Sequence, residues 1–213
     1  MIKIRNNQKG SSMVEMLGVL TILAILGMGT IKFIGGVQNV FIQNMVVSEA
    51  RDLQKVISDR YKFEGNYKSL FESRSCDDEP DTVAQFLCGA CEGCNSQDRM
   101  APFQMCSNGK LHHRGGGSVR VCKYDDAYKH YVMFFEGLTD RSCTALAQVN
   151  WYTRQKSDIY RMIINSGITN KELAVESPFT KTEGSVVFPI TASQAMTACS
   201  NGDSNNDIQL VFF

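Results

Sequence analysis

The sequence has no surplus of charge of either sign: 22 Lys and Arg stand against 22 Asp and Glu. Composition therefore gives no reason to expect a nucleic-acid partner or an acidic substrate. A catalytic constellation is also missing. No Ser/His/Asp grouping, paired carboxylates or activated cysteine stands out. The glycines of Arg114–Ser118 lack the flanking strand and helix that a phosphate loop needs, and with His112 and His113 they read as a flexible exposed turn. Neither an enzyme activity nor a cofactor is expected. The most informative absence is local: no residue from Met16 to Ile31 is charged.

What is present around that gap is an ordered N-terminus. From Ser11 to Val37 the apolar stretch is interrupted only by Glu15 and Lys32. A helix of that length spans a bilayer. A secretory signal carries its cleavage site after the apolar core. Here the small-residue junction Lys9-Gly10-Ser11-Ser12 comes before it, behind a leader that holds Lys3, Arg5 and Lys9 and no acid. A cut at the junction leaves 19 basic and 22 acidic residues and keeps the hydrophobic helix. Glu15 then needs an explanation, because a carboxylate in hydrocarbon costs several kcal/mol unless it is paired.

The residues "KGSSMVEMLGVL" resemble the prepilin-peptidase motif of type IV pilins and type II secretion pseudopilins. The resemblance implies cleavage after Gly10, a new N-terminus at Ser11 that is commonly N-methylated, and a role in subunit assembly for Glu15, the fifth mature residue. Serine departs from the family's usual first residue. In that setting the free amine of one subunit pairs with the Glu15 carboxylate of another, which offsets the burial of both charges and sets the stagger between subunits.

Beyond Val37 the pattern becomes amphipathic. Val46, Ala50, Leu53 and Ile57, widened by Val56 and Tyr61, form one stripe, with Glu49, Arg51, Asp52, Lys55 and Asp59 on the other faces. One long helix is expected from Ser12 to Tyr61, ended by "FEGNY". Strands are expected near Val119–Tyr124, His130–Phe135, Val186–Pro189 and Ile208–Phe213, and helices at Cys143–Tyr152, Asp158–Asn165 and Ser193–Cys199. That order of elements makes an α+β head. Trp151 is expected in its core. Asp77, Asp78, Glu79, Asp81, Asp203 and Asp207 read as solvated loop acids rather than a calcium site.

Eight cysteines are many for a chain of 213 residues. Cys88, Cys91 and Cys94 at C-x2-C-x2-C spacing resemble an iron–sulfur run, and with Cys106, His112 or His113 they could hold zinc. A membrane-anchored metal or redox protein is thus a rival reading. No cysteine precedes a proline, and a chain carried outward meets oxidants first. Disulfides are therefore expected and no metal. Cys76, Cys88, Cys91, Cys94, Cys106 and Cys122 would staple a loop with little apolar material of its own, in pairings that sequence leaves open.

A second similarity lies toward the C-terminus. "YVMFFEGLTDRSCTALAQV" and "ASQAMTACSNGDSNNDIQLVFF" look like the type IVb pilin region in which a strand enters a "GLT…C…L" helix and a late cysteine precedes the final strand. That resemblance implies a disulfide between Cys143 and Cys199. It also implies a pilin fold: leader 1–10, membrane or filament-core half-helix 11–37, amphipathic half-helix 38–62, and disulfide-rich head 63–213. The implied partners are other copies of itself in a helical filament, prepilin peptidase, the inner-membrane assembly platform and the membrane. The implied location is the bacterial inner membrane and then the cell surface. A pseudopilin, a minor pilin or a subunit of a thin conjugative pilus fits the same motifs.

Overall fold

The computed structural model describes residues 13–61, 63–77, 80–90, 99–153, 156–157, 159–166, 172–176, 186–202 and 204–213, with the side chains of 13–15, 25–39, 103, 152–153 and 156–157 outside the description. The chain divides into two compact units, Met1–Phe41 and Ile42–Phe213. Helix α1 (Met13–Tyr61) contributes to both. It has no proline, and Met, Leu and Ile dominate its first part, which outweighs the weakening by Gly18, Gly27, Gly29, Gly35 and Gly36.

The second unit is a mixed α+β domain. After α1 come the short helices α2 (Lys68–Phe71) and α3 (Thr82–Leu87) and a 3-10 turn at Phe103–Met105. Strands β1 (Cys106–Ser107), β2 (Lys110–His112), β3 (Ser118–Lys123) and β4 (Tyr131–Leu138) follow, then α4 (Asp140–Ala147). The small pair β5 (Tyr152–Thr153) and β6 (Lys156–Ser157) precedes β7 (Ile159–Ile164), β8 (Leu173–Glu176), β9 (Val186–Val187), α5 (Ala192–Ala198) and β10 (Asn206–Phe212). The main sheet runs β1-β2-β3-β4-β10-β7-β8-β9, antiparallel except for β8 with β9. The last strand therefore sits in the middle of the sheet, between β4 and β7.

One face of this sheet and one stripe of α1 share a core. Val119, Val121, Met133, Phe135, Met162, Ile164, Ile208 and Leu210 join Val46, Ala50, Leu53 and Ile57, and all are buried. Aromatic rings run through it: Tyr61 meets Tyr67 at 5.9 Å, Tyr67 meets Tyr131 at 4.6 Å, and Tyr131 stacks on Phe212 at 5.3 Å. Trp151 joins the core edge-on to Phe212 at 5.6 Å.

Four sequence-based expectations need correction. The helix expected at Asp158–Asn165 begins on a residue outside the description, and Ile159–Ile164 is strand β7, whose buried Met162 and Ile164 lie opposite Leu210 and Ile208. A six-residue apolar run fits either period, and here the long-range pairing with β10 decides it. The Cys143–Tyr152 helix starts earlier, because Thr139 caps it by accepting from Ser142 N at 3.1 Å, and it stops at Ala147. The strand at Val186–Pro189 shortens to Val186–Val187. Finally, the region between Cys76 and Cys122 is not poor in apolar material: Val83, Leu87, Met105 and Leu111 join the shared core, each at most 1% exposed.

Candidate functional site

The N-terminal site begins with residues whose placement is only partly described. Gly10 and Ser11 lie outside the described residues. Glu15 lies in the first turn of α1, with its side chain outside the description. Directly after it, Met16, Leu17, Val19, Leu20, Ile22 and Leu23 are 57–63% exposed. Covering side chains that open to water is worth about 1 kcal/mol each. Val40 and Phe41, at 55% and 60%, extend the exposed apolar inventory of this unit. Among the described residues no helix is long and apolar enough to cross a membrane. The expected span, 11–37, includes many side chains outside that description.

Among the described residues of the head, three disulfides tie its elements together. Cys76 is bonded to Cys122, Cys88 to Cys106 and Cys143 to Cys199, with Cα separations of 5.4, 5.6 and 5.6 Å. The first ties the loop before α3 to β3, and the second ties the end of α3 to β1. The third joins α4 to the C-terminal end of α5, with both cysteines fully buried. Cys91 and Cys94 lie outside the described residues. Among the described residues, the group close enough to share a metal is Cys76, Asp77 and Cys122, and its two sulfurs are bonded to each other. Asp81 caps α3 by accepting from Ala84 N at 2.8 Å, and Asp77 pairs with Arg120 at 3.2 Å. Asp78, Glu79 and Asp203 are outside the description.

Two buried asparagines join the elements around the Cys143–Cys199 bridge. The Asn165 amide donates to Ala198 O at 2.6 Å and to Asn206 Oδ1 at 2.9 Å, and its own oxygen accepts from Asp207 N at 2.9 Å. The Asn206 amide donates to Asp140 Oδ1 at 2.8 Å, and Gly202 N donates to the same carboxylate at 2.9 Å. Sequence reading placed Asn165 at the end of an expected helix and gave Asn206 no role. The two asparagines in fact hold the ends of β7, α5 and β10 and the start of α4 together.

A second polar node was also not foreseen. Glu49, assigned by periodicity to a solvated face, is 2% exposed. Its Oε2 accepts from Arg114 N at 2.9 Å, and Oε1 lies 3.7 Å from Arg114 Nε. Burial pushes this carboxyl above its ordinary value, partly offset by the Arg114 amide and charge. His113, expected in an exposed turn, is 3% exposed. Gly115 N donates to its Nδ1 at 3.0 Å, so Nε2 carries the proton and donates to Glu136 O at 2.9 Å. Burial holds His113 below its ordinary value. The glycines are needed for closeness: a Cβ on Gly117 would lie 1.8 Å from Glu136 O and 2.5 Å from His113 Nε2.

The described residues define a class: an α+β head unit and a helix whose early apolar side chains are exposed. A family model described as the prokaryotic N-terminal methylation motif matches residues 5–31, which include Gly10, Ser11 and Glu15. Among solved structures, the chain is similar to the crystal structure of TcpA, a type IV pilin from Vibrio cholerae El Tor biotype. The TM-score is 0.49 at 12% identity, over 81% of this chain and 99% of that one. No curated protein matches the chain.

Proposed function

We propose that this chain is a structural subunit of a type IV pilus, made as a membrane-anchored precursor and built into a surface filament. Prepilin peptidase removes residues 1–10, cutting between Gly10 and Ser11, and Ser11 becomes the N-terminus and the methylation site. The helix then serves twice, first as an anchor in the inner membrane beside the assembly platform and later as filament core. Glu15 pairs with the Ser11 amine of another copy, so that neither charge is buried alone. The chain acts by assembly, and no enzymatic step is assigned to it. The observation that carries this reading is the methylation motif over residues 5–31, within which the apolar side chains from Met16 to Leu23 are exposed.

Intact-mass and N-terminal peptide analysis of the native protein tests it. The expected mature chain starts at Ser11. A chain starting at Met1 in assembled material would overturn the assignment.

A further inference from the structure

The β4–β10 ladder loses register between the pairs Asn206↔Leu138 and Ile208↔Phe135, where Gly137 takes φ +73°. Such a bulge re-aims side chains out of the ladder. Here Glu136, Gly137 and Asp207 line a cleft of about 400 Å³. Phe134 also lines it, paired across the sheet with Arg120 on β3 and Gln209 on β10. These three side chains stand side by side on the face of the sheet opposite the α1 stripe.

The charges of the cleft are already committed. Arg120 Nη2 donates to Glu136 Oε1 at 2.6 Å, and Nη1 donates to Asp77 Oδ1 at 3.2 Å. Ser118 Oγ donates to the other Glu136 oxygen at 2.7 Å. The guanidinium carbon lies over the Phe134 ring, 5.0 Å from its centre, so the stacked pair walls one side of the cleft. Asp207 is held above its ordinary value by burial, with the nearby Glu136 charge acting in the same direction. By contrast, no described residue engages the side-chain amides of Asn205 and Gln209, which also line the cleft. Each amide offers two donors and an acceptor.

This chemistry selects a ligand. An anion meets two carboxylates and an arginine that is already paired. An apolar molecule would strip water from amides and carboxylates without replacing their hydrogen bonds. A divalent cation would have to displace Arg120 from Glu136. A neutral ring bearing several hydroxyls fits all three constraints, because each hydroxyl both donates and accepts and the ring's C–H face packs on that wall. We infer that the bulge cleft between β3, β4 and β10 is a saccharide-binding site that takes one or two neutral pyranose units. Gln209 and Asn205 supply the directional hydrogen bonds, and the Phe134–Arg120 wall supplies the contact surface. The inference is independent of whether the subunit polymerises.

The test uses the full chain in micelles of a zwitterionic detergent without a sugar headgroup. Maltose and lactose are titrated in by calorimetry and by saturation-transfer NMR, with sulfate as the anion probe. Saturable, weak binding of at least one disaccharide is expected. Gln209→Ala and Asn205→Ala should each weaken it by about tenfold, the effect of losing one satisfied hydrogen-bonding group. Both positions lie outside the core, so near-UV dichroism should be unchanged. No saturable response to either sugar, equal affinity in both variants, or saturable binding of sulfate in place of sugar would each overturn the assignment.

Discussion

Gly115, Gly116 and Gly117 follow one another yet do different work. Gly116 has φ +93° and open space where a Cβ would go, so alanine there is strained only by its backbone, at about 1–2 kcal/mol. At Gly117 a Cβ would overlap a carbonyl oxygen of β4 at 1.8 Å. Gly117→Ala should therefore destabilise by roughly 3 kcal/mol or more, and denaturant unfolding should rank it well above Gly116→Ala. The neighbouring His113 makes stability depend on pH. Its folded value is depressed, so the unfolded chain binds the proton more tightly, and stability falls as pH drops below the ordinary 6.5. One such proton gives a slope of at most about 1.4 kcal/mol per pH unit. Glu49 acts oppositely: its folded value is raised above 4.5, so acid relieves part of the burial cost of the carboxylate. Unfolding midpoints measured across mildly acidic pH should flatten in His113→Gln. They should fall more steeply with acid in Glu49→Gln than in the parent.

At the scale of elements, legibility followed periodicity. The stripe Val46, Ala50, Leu53, Ile57 was readable because an amphipathic helix repeats its buried face every three or four residues. The strands β3, β4 and β10 were readable from β-branched and aromatic residues. β7 was not, because its six residues are too short to separate a strand period from a helix period without the partner β10. The Cys143–Cys199 bridge connects elements rather than neighbours. Its cysteines are 56 positions apart, so on the chain-entropy view it adds about 4 kcal/mol, against about 3 kcal/mol for the 18-residue separation of Cys88 and Cys106. Unfolding without reductant should show the larger loss for the double variant Cys143→Ala/Cys199→Ala. A smaller loss than for Cys88→Ala/Cys106→Ala would mean that α4 and α5 are held mainly by the asparagine network.

For the molecule as a whole, the question is what the exposed apolar turns of α1 meet. Six side chains from Met16 to Leu23 left 57–63% open are tolerable in hydrocarbon or against other helices and unfavourable in water. On the proposed reading, the variant Glu15→Ala is still processed and inserted but enters filaments poorly, because the amine at Ser11 loses its partner. Shear-fraction yield compared with membrane-fraction yield reads this directly. Wild-type filament yield from Glu15→Ala would remove the charge-pairing role.

The sequence by itself determined the N-terminal logic and the class of the head. Order along the chain is enough to show a basic segment before a small-residue junction, a glutamate, and then an uncharged run. The three described bridges depended on the tertiary structure, because each joins cysteines that are distant in the chain. Local composition marked His113 as a loop residue and Glu49 as a surface acid. Folding brought the carbonyl of Glu136 and the amide of Arg114 to them, and a polar group is buried only where such a partner arrives.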